Sequence, residues 1–190
     1  MPPATFGLFL TWTTYGTWLP GDKRGYVSNT RLPDSRYREK NNVPGVPYDG
    51  DDAATRLAAE QAQKFDTVWL DAGQAQMAGA ALCDAAQARG WHIVRAAIMA
   101  NHVHVLTVGC PNDGSAVLRI YKGVSSARLS KAHGSALRWW TDGGSKRYLN
   151  DAAGIAGVER YIRDQDRILC EVVNNQVVAG GPSGINPMAR

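Results

Sequence analysis

Residues 91–109, WHIVRAAIMANHVHVLTVG, place two runs of β-forming residues, Trp91–Met99 and His102–Val108, on either side of Ala100–Asn101. Two such runs joined by so short a link predict an antiparallel hairpin with a tight turn. Successive side chains of a strand alternate between its two faces. His102 and His104 therefore share one face, about 6.6 Å apart at roughly 3.3 Å per residue. Val103 and Val105 point the other way, into whatever covers that side.

The elements around the hairpin follow from local pattern. The stretch FGLFLTWTTYGTW (residues 6–18) is rich in β-formers and predicts a strand in its early part. From Leu19 to about Asp52 the chain holds Pro20, Pro33, Pro44 and Pro47 among many Gly, Asn, Asp and Arg, which predicts a long loop or insertion. Ala53–Phe65 is a helix candidate. Ala72–Arg89 is a second helix, with Ala75, Ala78, Leu82 and Ala86 on one stripe and Gly90 as its stop. Ser115–His133 predicts an amphipathic helix, Val117, Ile120, Val124 and Leu129 on its apolar side, Arg119, Lys122, Arg128 and Lys131 on its basic side. ALRWWTDGGSKRYLN reads as a short strand, a Gly-Gly loop and another strand, and Gly157–Cys170 as a last helix. The Gly/Pro-rich end is expected to fray from about residue 176.

That order predicts an α+β fold: a ferredoxin-like β-α-β-β-α-β antiparallel sheet with an appended C-terminal helix. The 190 residues, 44% of them hydrophobic, suit a single domain over 1–190 with the insertion at about 19–52. The apolar content and a net charge of only +4 exclude a disordered chain. No apolar run reaches the ~18–20 residues that span a bilayer, so no membrane partner is expected. MPPATFGLFLTW has no basic region ahead of its apolar run, so no secretory signal is expected either. Cys83, Cys110 and Cys170 are scattered, odd in number and free of CxxC spacing, which fits a reducing, cytoplasmic setting.

Charge is uneven. Residues 86–150 carry nine Lys/Arg against two Asp/Glu, while the flanking segments are close to neutral. A basic centre of this kind is either a solvated face or a surface for a phosphate-rich partner.

Two of the four histidines lie within three residues of each other, at the spacing by which two imidazoles on one strand converge on an ion. A third ligand must come from elsewhere. In VERYIRDQ, Tyr161 and Gln165 are four apart and would stand on one helix face, at the shoulder of a stripe of Val158, Ile162 and Leu169. Taken alone, such a pair is more often a boundary tyrosine and a surface glutamine. Together with His102 and His104 it suits one reaction. A divalent ion on His102, His104 and Gln165 would polarise a phosphate oxygen, and Tyr161 would attack phosphorus to give a phosphotyrosine. The ion and Arg160 or Arg163 would help to deprotonate the phenol. Tyr121 and Tyr148 are rival nucleophiles. The residues four positions on from them, Ser125 and Ala152, are poor ligands, although Asp151 follows Tyr148 by three.

An ordered set of segments carries a resemblance: WTTYGTWLPGD, AAIMANHVHVL, IYKGVSSARLSK, RWWTDGGSKRYL and VERYIRDQ. Over about residues 6–170 the chain resembles the HUH (His-hydrophobic-His) single-strand endonucleases. In particular it is similar to the single-tyrosine transposases of the smallest insertion sequences and their REP-associated tyrosine transposase relatives. Family members often read MPNHVH where this chain has Ala100, and the compact transposases lack much of the 19–70 segment. The Asn-Pro pair common after the tyrosine helix of the REP-associated relatives is absent from RDQDRIL, which leaves the subgroup open. The resemblance implies Tyr161 as nucleophile, with His102, His104 and Gln165 as ligands of Mg²⁺ or Mn²⁺. It also implies single-stranded, hairpin-containing DNA as partner, a 5′-phosphotyrosine, a free 3′-OH, and strand transfer without ATP. A bacterial, nucleoid-associated location is expected, and a homodimer is compatible with this scheme.

Lys122, Arg128, Lys131, Lys146, Arg147, Arg160 and Arg163 are candidate DNA contacts. Of Trp139 and Trp140, one is expected in the core and the other free to stack on a base. Trp12, Tyr15 and Trp18 could also stack, though core aromatics are the commoner reading. Two alternatives compete with the transesterase: a ferredoxin-like module that binds single strands without cutting them, and a small hydrolase using the histidines as acid and base.

Overall fold

The computed structural model describes residues 7–22 and 52–178. Most of the insertion expected at 19–52 lies outside them; of the tail expected to fray from about residue 176, Gln176–Val178 instead form a strand, and the rest lies outside the described residues. The chain divides into two compact units, residues 15–67 and residues 1–14 with 68–190.

In the smaller unit, helix α1 (Ala53–Gln61) starts at Asp52, whose carboxylate accepts from the Thr55 amide at 3.0 Å. It has no buried residue. The Tyr15 ring meets Phe65 edge-on at 5.8 Å, and the Tyr15 hydroxyl accepts from the Lys64 amide.

The larger unit is a six-stranded antiparallel sheet. Its strands are β1 (Gly7–Thr13), β2 (His92–Ile98), β3 (His102–Val108), β4 (Ser145–Leu149), β5 (Cys170–Val173) and β6 (Gln176–Val178), in the order β4-β1-β3-β2-β5-β6. Leu8, Leu10, Trp12, Val103 and Val105 alternate onto one face, which buries the main core beneath helices α2 (Ala72–Gln87) and α3 (Gly114–His133). Helix α2 begins in a reciprocal cap: Asp71 accepts from the Gln74 amide at 2.7 Å, and the Gln74 side chain accepts from the Asp71 amide at 3.0 Å. The predicted stripe Ala75, Ala78, Leu82 and Ala86 is buried. A Cβ on Gly79 would stand 2.8 Å from Cys170 Sγ, so glycine lets α2 approach β5 closely. On α3, Val117, Leu118, Tyr121, Ser125 and Leu129 are buried, while Ile120 and Val124 are only partly so.

The opposite face carries helix α4 (Ala152–Arg163). Val158 and Ile162 are buried there against Ala97, Met99, Leu106 and Leu149. This corrects the expected helix at Gly157–Cys170. The Asp151 side chain accepts from the Gly154 amide at 2.6 Å and starts the helix five residues earlier. The helix stops at Asp164, and Arg167 has a left-handed φ of 58°. The helix is not terminal either. β5 and β6 follow it, joined through Asn174 and Asn175, whose φ values of 51° and 60° make the left-handed turn a two-residue hairpin needs. Asn175 ties this hairpin to β2, its Oδ1 accepting from the Ile93 amide at 2.6 Å. The short strand expected around 136–140 is reduced to a single bridge, Thr14 to Trp140.

Candidate catalytic site

The ladder places the site before any side chain is considered. Thr11 pairs with His104 and Thr13 with His102 across β1–β3, while Phe9 pairs with Leu106. These residues alternate with Leu8, Leu10 and Trp12, so they stand on the α4 face. Tyr161 lies between Val158 and Ile162 on α4, on the shoulder of their stripe, and is 50% exposed.

Three predicted residues come together here. The His102 and His104 rings are 4.9 Å apart between centroids, nearly perpendicular, and the Tyr161 ring meets His104 at 5.4 Å. Phe9, which the sequence reading did not single out, lies 5.5 Å from His104 and 5.8 Å from Tyr161. It forms an apolar wall joining the two. His104 is buried, at 5% exposure. Burial first, and the neighbouring His102 second, push its pKa down to about 3, so the ring is neutral near pH 7.

Each imidazole is held through Nδ1. Thr11 Oγ1 is 2.8 Å from His104 Nδ1, and Asn101 Oδ1 is 2.7 Å from His102 Nδ1. Asn101 Oδ1 can only accept, which assigns the His102 Nδ1 as the donor. The Thr11 hydroxyl can accept likewise from His104. Nε2 is then the unprotonated nitrogen of each ring, the tautomer that outer partners set in metal-binding histidines. The donor set therefore suits two positions of a divalent-ion site. Among the described residues no group of three His, Cys, Asp or Glu side chains is placed to hold a metal. A third protein ligand would have to be of another type.

Gln165 departs from the expected geometry. It lies beyond the end of α4, and its Nε2 donates to the Tyr161 carbonyl at 3.0 Å. It is thus attached to the helix that carries Tyr161, but not one turn along it. The rival tyrosines are on the other side of the sheet. Tyr121 is fully buried with its hydroxyl 3.1 Å from Thr107 Oγ1, and Tyr148 accepts from the Gly114 amide at the start of α3. Asp151 is taken up as the α4 cap.

The basic candidates separate by location. The Lys122 ammonium donates to the carbonyls of Thr141 and, at 2.6 Å, Gly143, so it braces the loop before β4. Burial lowers its pKa. Arg128 pairs with Asp84 at 2.6 Å, and Arg163 with Asp164 at 2.9 Å. Lys131 and Arg160 are exposed. On edge strand β4, Arg147 pairs with Phe9 and shares the site's face, whereas Lys146 pairs with Leu10 and takes the α3 side. Trp139 and Trp140 are both buried, their indole N–H groups donating to Ser130 and Ser125, which corrects the expected base-stacking role for one of them. Trp12 is buried as well, and Trp18 is 39% exposed. No helix among the described residues is long and apolar enough to cross a membrane.

No protein-family model and no curated protein matches the sequence. Solved structures similar to the chain include a REP-associated tyrosine transposase bound to a REP hairpin. It is 13% identical over 85% of this chain and 67% of that one, with a TM-score of 0.43. Another is a candidate transposase from Deinococcus radiodurans R1, 16% identical over 86% of this chain and 92% of that one, with a TM-score of 0.37.

Proposed function

We propose that this chain is a metal-dependent transesterase of single-stranded DNA, of the tyrosine transposase kind, with Tyr161 as nucleophile. The observation that carries the reading is the edge-on contact of Tyr161 with His104, beside His102, on a sheet face reached by one half-exposed phenol. The β-α-β-β-α-β succession within the strand order β4-β1-β3-β2 also supports it, since it fits a ferredoxin-like reading of the sheet.

Mg²⁺ or Mn²⁺ held at the Nε2 atoms of His102 and His104, with Gln165 as third protein ligand, would neutralise charge on a non-bridging phosphate oxygen. The Tyr161 oxygen attacks phosphorus, its proton passing to solvent on the exposed side of the ring. The P–O3′ bond breaks, leaving a 5′-phosphotyrosine and a 3′-hydroxyl. Attack of a 3′-hydroxyl on that phosphotyrosine reverses the step and joins strands. Thr11 and Asn101 hold the imidazoles in the tautomer this needs, and Phe9 keeps water from one side of the phenol. Arg147, exposed on the same face, would hold backbone phosphate of a hairpin-containing strand.

The test is a denaturing gel of the protein with a labelled pool of single-stranded stem-loop DNA and Mn²⁺, beside Tyr161→Phe. A metal-dependent band that survives denaturation only in the parent is expected. DNA bound in native gels without a surviving band in the parent would overturn the reading in favour of a non-catalytic binding module.

A further inference from the structure

We infer that Arg95 is a positioning residue for the nucleophile: its guanidinium clamps the tyrosine helix to the sheet and sets where Tyr161 stands over His104. The inference rests on the proposed role of Tyr161, and it names a device that role does not itself require.

Arg95 lies on β2 just after a register irregularity between Ile93 and Arg95 in the β2–β3 ladder. Ile93 packs in the core under α2 and α3, while both Val94 and Arg95 serve the α4 side. An extra residue of this kind re-aims a side chain. Here it aims a cation across the face that α4 covers. Arg95 is paired with Glu171 on β5 and, through Nη2, with Glu159 of α4 at 3.4 Å. Its side chain is only 15% exposed. Glu159 is two residues before Tyr161, between Val158 and the nucleophile. One guanidinium thus spans two strands and the helix.

Stability alone does not account for such a cluster. Half-buried ion pairs lose much of their attraction to desolvation, and apolar replacements of similar volume are often as stable or more so. The Nε of Arg95 is moreover buried without a hydrogen-bond partner among the described residues, a further cost. What the cluster supplies is direction. Val158 and Ile162 would bury equally well after a small slide or rotation of α4, because apolar contact is non-directional. The pairing with Glu159 is met at one setting of the helix, and that setting puts the Tyr161 ring 5.4 Å from His104.

The test compares the full-length parent with Arg95→Met, Glu159→Gln and Arg95→Lys. Readouts are the single-turnover rate of covalent adduct formation with the stem-loop pool and Mn²⁺, DNA affinity in native gels, the melting temperature, and amide exchange along the chain. For Glu159→Gln, which keeps the Arg95–Glu171 pair, we expect the melting temperature and DNA affinity to hold, whereas Arg95→Met leaves Glu171 without its cation and should melt lower with DNA affinity unchanged. In both variants the α4 amides should exchange faster while those of β1 and β3 do not change. Adduct formation should slow by about 10- to 100-fold, as a misplacement near 1 Å can cause. Arg95→Lys should recover part of the rate. Unchanged α4 exchange, or an unchanged adduct rate, would overturn the inference. If Arg95→Met does not fold, Glu159→Gln decides, since it keeps the Arg95–Glu171 pair and removes only the helix partner. If the parent forms no adduct, the proposed function falls, and α4 exchange alone decides whether Arg95 sets the helix.

Discussion

Thr11 Oγ1 and His104 Nδ1 lie 2.8 Å apart across the β1–β3 ladder, two residues paired in register and joined through their side chains. The hydroxyl belongs to the strand that also carries Phe9, so one strand supplies both the orienting group and the apolar wall of the site.

Thr11→Val keeps the shape and removes the hydroxyl. In the tautomer proposed for metal binding, His104 is then left with a buried Nδ1–H lacking its partner, which costs about 1–3 kcal/mol. Mn²⁺ affinity should fall about 10- to 100-fold, the usual cost of losing an outer partner of a metal ligand. Urea unfolding and calorimetric Mn²⁺ titration measure the two effects. Parent-like Mn²⁺ binding by the variant would sink the assignment of His104 as a prepared ligand.

The depressed pKa of His104 makes a prediction about acid. Its folded value of about 3 lies below the ordinary 6.5. The unfolded chain therefore binds this proton first as pH falls. The stability that the neutral ring contributes is fully present above about pH 6.5 and is lost as pH drops toward 3, at up to about 1.4 kcal/mol per pH unit. Urea midpoints of the metal-free protein between pH 7.5 and 4.5 should decline, and less steeply in His104→Asn. Parallel slopes in the two proteins would mean that another group titrates.

Arg147 and Lys146 are sequence neighbours on opposite faces of an edge strand. Arg147→Ala should weaken single-strand binding across sequences and lower the salt slope by about 1, as loss of one phosphate contact does. Lys146→Ala should leave both as in the parent. Binding measured from low to high salt separates them, and equal effects would place the DNA path elsewhere.

Gly79→Val would force a side chain against Cys170, Ile98 and Val172 where α2 meets β5. Overpacking of this kind costs about 1–3 kcal/mol. A melting temperature as high as the parent's would show that α2 can move away from β5 freely.

Much of the sheet was legible because alternation is a strong signal. The HVHVL run fixed which face of β3 would carry imidazoles, and the Ala-rich stripe of α2 appeared where the pattern put it. The tyrosine helix was harder. AAGIAG, with two glycines, hides a helix start that Asp151 in fact caps, and the apolar Ile168, Leu169 and Cys170 continue a pattern that looks helical after the helix has ended. Asn174–Asn175 between two β-branched pairs was the signal for the last hairpin, since asparagine tolerates left-handed backbone better than most residues. Thr11 and Phe9 could be placed only through the β1–β3 register, which no local pattern encodes. Trp139 and Trp140 escaped strand alternation because their segment forms one bridge and no ladder, so both could turn inward.

Helix α4 leaves the sheet at β4, one outer edge, and returns at β5, beside β2 on the far side. Tyr161, the proposed nucleophile, therefore rides on a bridge moored at both banks, not on a trailing arm. Lending that helix to a second copy of the chain would mean unzipping β5 from β2 and releasing Asn175 from Ile93 as well. The cheapest partners for Tyr161 are the imidazoles of its own chain, and a mixture of Tyr161→Phe with His104→Ala protomers should stay as inactive as either alone.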